Sequence, residues 1–311
     1  MSKKIYEEIQ AKIVQRLEDA KASNWVKPWL PVFDNALNPA SNSVYKGFNQ
    51  IYLSIMKDEK AYKANKWVTF KQAKELGATV LKGAKGTPII YFQFIYKNEK
   101  DETIKESEAI KFTISTGKSL AELGIKKIGF VRFYFVFNVA QVEGLPNDFY
   151  TPNVVFNDDF NGLEIADTIL TNSKANIHYI LFDNAYYDRI KDEIVLPYKN
   201  QFLSAEHFYN TAFHELSHWS GAPHRLNRKK GNLFADKDYA FEELIAEFSA
   251  ALICGSIGIQ KDFTNNAAYL DSWLKAFKND IQVFFKAAAT AQKAADFILE
   301  FAEIEKLELV A

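Results

Sequence analysis

The segment FHELSHWSG, residues 213–221, sets His214 and His218 four positions apart, with Glu215 directly after the first. On a helix such positions share one face, so both imidazoles can turn a ring nitrogen towards one ion. Glu215 is rotated by about 100° from His214 and can reach a water held by that ion, as the base of a metal-dependent hydrolase does. A catalytic zinc site needs a third protein ligand and one open position, and a carboxylate commonly supplies the third. The segment EELIAE, residues 242–247, offers it. Glu243 is the expected ligand, and Glu242 competes for the role from a direction about 100° away. Glu247, one turn on, is placed to accept a hydrogen bond from the other nitrogen of a ligand histidine and fix its tautomer. An ordinary surface face of His and Glu would not require acids inside an otherwise apolar helix, where carboxylates need partners. Two His and one Glu suit Zn2+, and Mn2+ or another divalent ion can use the same ligands.

Both segments need helices to present these groups. Ser204 can cap the first helix and Glu206 suits its opening turn; Gly221 and Pro223 end it. FEELIAEFSAALICGS forms the second, and Ala246, Ala250 and Ala251 let it approach the motif helix closely. Upstream the chain predicts a helix near residues 159–172, a strand IHYILF and a hairpin through YYDRIKDEIVLP. His207 fits a capping or packing role, His178 a place in the core or behind a ligand, and His224 with Arg225 a structural role. Cys254, the single cysteine, lies among apolar residues and fits packing.

The first half of the chain is organised differently. Ile5, Ile9, Ile13 and Leu17 stripe a helix over residues 3–22, and NWVKPWLPVF is broken by Pro28 and Pro31. A short helix covers QIYLSIMKDE. In WVTFKQAKELGA, Thr69 and Gln72 form a capping box and Gly77 stops the helix. Strands IIYFQFIY and RFYFVFNV flank a charged stretch, residues 97–127, expected to be a solvated hairpin or insertion. EGLPNDFYTPN, residues 143–153, is the expected linker. These elements predict an α+β chain divided into residues 1–145 and 151–311.

With 311 residues, 48% of them hydrophobic, each half can bury a core. A single cysteine, a charged N-terminus and no apolar run of about 18 residues predict a soluble cytoplasmic protein without a membrane segment. Residues 1–150 carry 23 Lys and Arg against 16 Asp and Glu, whereas residues 151–311 carry 15 against 23. A basic half joined to an acidic one points the first towards a polyanion. Its loop aromatics alternate with lysines, as in proteins that stack unpaired bases while cations follow the phosphates. The candidates are Lys27, Trp29, Tyr45, Lys46, Phe48, Lys66, Trp67 and Lys71, with Lys82 and Lys85 on the glycine-rich turn LKGAKGT. Phe70 and Tyr91 are expected in the core.

Longer blocks carry a resemblance. NPASNSVYKGFNQIYL, WVTFKQAKELGATVLKGAKGTPIIYF, FYFVFNVAQVEGLP, TAFHELSHWSGAPHRLNR, YAFEELIAEFSAALIC and AAYLDSWLKAFKNDIQVFFKAAATAQKAADFIL together resemble the ArdC antirestriction family, in that family's order. The resemblance implies an N-terminal α+β domain that binds single-stranded DNA. It implies a zincin-like, gluzincin-type metallopeptidase domain after it, and a role on mobile elements in sparing incoming DNA from restriction. Residues 97–127 depart from the family pattern in length and charge.

Two readings follow. In the first, DNA binding brings a metallopeptidase to a protein such as a restriction subunit, with Glu215 as base and the hairpin edge as a place for a peptide. In the second, the chain shields single strands by coating them and its metal site is structural or vestigial. An intact Glu215 favours the first.

Overall fold

A computed structural model describes residues 2–22, 35–152, 161–181, 184–202, 204–228, 237–259 and 270–302. Lys27 and Trp29 lie outside them. The chain forms two compact units, one of residues 1–84 with 137–311 and one of residues 85–136.

In the first unit, α1 (Ser2–Ala22) buries Ile5, Ile9, Ile13 and Leu17, the expected i+4 stripe. A small hairpin of β1 (Leu37–Asn38) and β2 (Ser43–Val44) leads into α2 (Gly47–Glu59). Then β3 (Trp67–Thr69) precedes α3 (Phe70–Glu75), which starts directly after the expected Thr69 cap. Its Thr69–Gln72 capping box is present, and Gly77 ends it at φ +73°, a conformation that favours glycine. β4 (Thr79–Val80) pairs with β8 (Val142–Glu143) over a core of Val68, Ala73, Val139 and Leu145.

The rest of this unit is a three-stranded sheet against helices. After α5 (Asn161–Asn172), β9 (Asn176–Ile180) lies parallel to β11 (Glu193–Pro197), and β10 (Tyr186–Asp188) pairs antiparallel with β11 as an edge. β11 is buried through Ile194, Val195 and Leu196, as a central strand with apolar residues must be. The helices α6 (Ala205–Ser220), α7 (Lys237–Ser256), α8 (Leu270–Asn279) and α9 (Gln282–Leu299) follow. α7 packs against both α6 and α9. Buried Ala246 and Ala250 on α7 and Ala287, Ala288 and Ala291 on α9 allow the close approach. Phe248 and Phe284 fill the space beside them, with ring centres 5.0 Å apart.

The helices α1 and α2 bury their apolar faces on α8 and α9. Phe48 meets Phe285 edge-on at 4.4 Å, and Gly47 donates its N–H to Gln292 Oε1 at 2.7 Å. Gly47 holds φ +54° there, which a side chain would strain.

The second unit is an antiparallel ribbon. β5 (Thr87–Lys97) pairs with β7 (Lys126–Asn138) without a break, from Thr87 opposite Val136 to Lys97 opposite Lys126. The charged stretch is not simply a solvated hairpin. It contains β6 (Thr103–Ile104) and α4 (Glu106–Thr116), and it closes a small core of Tyr96, Ala109 and Ile125. Among the described residues, no helix is long and apolar enough to cross a membrane.

Candidate metal centre

The motif helix α6 starts where Ser204 Oγ accepts the His207 N–H, and it ends where Gly221 donates to the His218 carbonyl. His207 Nδ1 also lies 2.9 Å from Ser204 Oγ, so this histidine serves the cap. Within that helix Glu215 is buried and His214 and His218 are nearly so. Facing them from α7 are three carboxylates, Glu242, Glu243 and Glu247, all buried.

His214 Nε2 and His218 Nε2 stand 3.1 Å apart. Glu243 meets both, with Oε2 3.4 Å from His214 Nε2 and Oε1 3.3 Å from His218 Nε2. Donors held about 2.0–2.2 Å from one ion at tetrahedral angles lie roughly 3.3–3.6 Å apart, so these three converge close to the spacing of a ligand set. The set fits a divalent ion of the zinc or manganese kind.

The outward nitrogens are also matched with acids. His214 Nδ1 lies 2.7 Å from Glu247 Oε1, and His218 Nδ1 lies 3.3 Å from Glu242 Oε1. Each imidazole thus has a carboxylate behind it that can fix its tautomer. Glu242, the competitor for the third ligand position, sits behind His218 instead of beside the two Nε2 atoms.

Charge follows from this packing. Burial alone would lower the pKa of both histidines, but Glu243 and Glu247 raise that of His214 well above its ordinary value. Glu243 and Glu242 raise that of His218 in the same way. Burial works against the ionised Glu243 too, yet His218 and His214 hold it far below the usual carboxylate range. Glu242, opposed by burial and favoured by His218 and Arg228, falls to about 2. Glu215 differs: burial raises it, and the pull of His214 and His218 does not restore it. The backbone N–H of Tyr187, on the edge strand β10, also reaches its carboxylate.

Arg228 was not among the sequence candidates. It donates to both oxygens of Glu242, at 2.6 and 3.1 Å, to Ser220 Oγ and to the Ser217 carbonyl. Its only sequence signal is a basic residue just past the helix stop. Arg225 stacks on Trp219 at 3.8 Å and pairs with Asp192, which also accepts the Tyr187 hydroxyl at 2.7 Å. The hairpin turn is thereby tied to the end of α6, which gives Arg225 the structural role expected of it. His178 departs from expectation: it is exposed and lies 3.3 Å from Glu193, because its side chain is on the open side of β9. Cys254 is buried, as a packing residue is, with Sγ 3.2 Å from Asn210 Oδ1.

The nucleic-acid candidates separate into two groups. Trp67 is fully buried with its Nε1–H on Asn65 Oδ1 at 2.7 Å, and Phe48 is buried among Tyr52, Phe284 and Phe285. Neither ring can receive a base, since each fills the core of the first unit. Lys66 is also buried, its ammonium held by the Asp148 carbonyl at 2.8 Å. Tyr45 is half-buried near Asn38 and the Trp67 carbonyl. Lys46, Lys71, Lys82 and Lys85 are exposed. Phe70 and Tyr91, expected in the core, are 61% and 57% exposed.

Residues 3–137 match the family model for the N-terminal domain of anti-restriction factor ArdC, and residues 164–290 match a zincin-like metallopeptidase model. The metal-free crystal structure of the antirestriction ArdC protein from the R388 plasmid superposes with a TM-score of 0.74 at 34% identity, covering 96% of this chain and 97% of that one. The Mn(II)-bound structure of the R388 protein gives 0.71 at 33%, covering 97% and 99%. The DNA primase TraC of Escherichia coli is 35% identical over 304 residues, 97% of this chain, but the chain spans only 27% of that relative's length. Matched to a solved ArdC protein across nearly the whole of both chains, this chain belongs to the ArdC antirestriction family.

Proposed function

We propose that this chain protects incoming DNA from restriction by binding single-stranded DNA and acting on a bound protein through a metal-dependent peptidase centre. The observation that carries the proposal is the convergence of His214 Nε2, His218 Nε2 and Glu243 beside a buried Glu215. His214, His218 and Glu243 would hold the ion, of the Mn(II) kind seen in the R388 relative or zinc. When bound, such an ion lowers the pKa of a coordinated water and polarises a carbonyl. Glu247 and Glu242 orient the two imidazoles from behind, and Arg228 holds Glu242 in place. Glu215, raised by burial, is suited to take up a proton and pass it on. A structural site would have no use for that buried carboxyl.

Substrate identity is part of the proposal: a restriction-enzyme subunit met on the same DNA. Incubating the metal-loaded chain with single-stranded DNA and a purified restriction enzyme, then reading the subunits by mass spectrometry, tests it. New peptide termini are expected only with chain, DNA and metal together. Protection without new termini would leave strand coating as the activity.

A further inference from the structure

The ribbon of the second unit carries a surface that the sequence candidates do not include. Residues 87–97 and 126–136 hold eight Phe or Tyr and four Lys or Arg but no Asp or Glu. Two paired strands without a carboxylate are suited to an anion and poorly suited to a basic partner. Their two faces are not equivalent. On one, Tyr96 is buried beneath α4 beside Ala109, with its hydroxyl donating to Glu106 at 2.7 Å. Away from α4 that face also exposes Phe94 and Phe135. The other face is open from Tyr91 and Tyr134 towards Lys126, with Ile89 and Val136 buried at its far end. Tyr91 and Tyr134 stand there 57% and 42% exposed, meeting edge-on at 5.8 Å. Arg132 lies opposite Tyr91 in the register and places its guanidinium over Phe130 at 5.4 Å. Phe130, Arg132 and Tyr134 are alternate residues of one strand, so they form a row spaced by about 6.7 Å. Exposed Lys126 continues the row.

Exposed rings grouped on a sheet face mark an interaction site more often than they mark neglect. Rings interleaved with cations and free of acids suit an unpaired nucleic-acid strand: the bases offer flat faces for stacking and the phosphates offer charge. A duplex offers the phosphate charge but not the faces, because its bases are already stacked on one another. We propose that this open face, Tyr91, Phe130, Arg132 and Tyr134 with Lys126, is the platform on which the chain stacks unpaired bases. The proposal rests on the single-strand reading above and assigns the contact to the ribbon instead of the loop tryptophans.

The test measures binding of the full chain to labelled oligothymidylate, its ribose counterpart and a duplex, over a range of salt. Wild type should bind the single strands more tightly than the duplex, and the ribose arm tells DNA from RNA. Tyr91→Ala and Tyr134→Ala should each weaken single-strand binding by about 5- to 150-fold. Arg132→Gln should flatten the slope of log affinity against log salt by about 0.7. Thermal melting reports whether each variant is folded, and Arg132→Gln stands in should a tyrosine variant melt early. If wild type binds single strands but the folded ribbon variants bind as well as it does, the platform is elsewhere and the single-strand reading survives. If wild type binds no single strand, or binds duplex equally well, the platform falls together with that reading.

Discussion

Arg228 grips Glu242 through two hydrogen bonds, at 2.6 and 3.1 Å, in a buried pair that stands directly behind His218. Without the guanidinium, Glu242 would be a buried carboxylate facing, among the described residues, His218. Removing one member of such a pair commonly costs about 3–5 kcal/mol. Arg228→Ala should lose stability on that scale in denaturant titrations of the metal-free chain. Arg228→Lys should recover only part of it, since an ammonium lacks the planar fork.

The ligand set predicts an order of metal loss. His218→Ala and Glu243→Ala should each abolish stoichiometric metal, because two remaining donors hold an ion poorly. Glu247→Gln should weaken binding by about 10- to 100-fold without abolishing it, as changes behind a ligand do. Elemental analysis of the purified variants checks both. Full metal retention in Glu243→Ala would exclude Glu243 as a ligand.

Acidity should set metal affinity in a stated direction. In the metal-free chain the pKa values of His214 and His218 are raised by the carboxylates around them. Their contribution to metal-free stability is therefore complete below about pH 6.5 and is lost as pH rises through the folded values. An ion needs these imidazoles unprotonated, so its affinity runs the opposite way. The gap in Tm between metal-loaded and metal-free protein should widen as pH rises from about 6.5. A gap that narrows over that range would contradict this account of the site.

Trp67 distinguishes a core ring from a stacking ring. It is fully buried and hydrogen-bonded to Asn65. Trp67→Ala should cost about 3–5 kcal/mol of stability. The fraction that remains folded should bind single-stranded DNA like wild type, as measured by titration well below the melting transition.

The site was legible in the sequence wherever spacing along a helix decides geometry. His214, Glu215 and His218 share a helix, and so do Glu243 and Glu247; a turn of 3.6 residues settles which of them can meet. Arg228 was hidden because its partner Glu242 lies 14 residues away, and only tertiary packing brings the two together. The aromatic residues misled for a related reason. Composition shows how many rings a segment holds but not which face is covered, so Phe48 and Trp67 were expected to be open and Tyr91 closed. Helices and strands followed their periodicity, including the Thr69 cap. Residues 97–127 were harder, because the apolar residues that seal their small core are separated by charged positions belonging to α4.

If protection requires chemistry at the metal centre, Glu215 isolates that step. It is not among the ligand atoms, so Glu215→Gln should keep about one ion per chain, wild-type melting and single-strand binding. The direct measurement is the survival of incoming DNA in a restricting host expressing either protein, with metal content determined in parallel. Loss of a general base costs about 10²- to 10⁴-fold in rate, so the metal-loaded Glu215→Gln protein should fail to protect. A metal-loaded Glu215→Gln protein that protects as well as wild type would contradict the peptidase account.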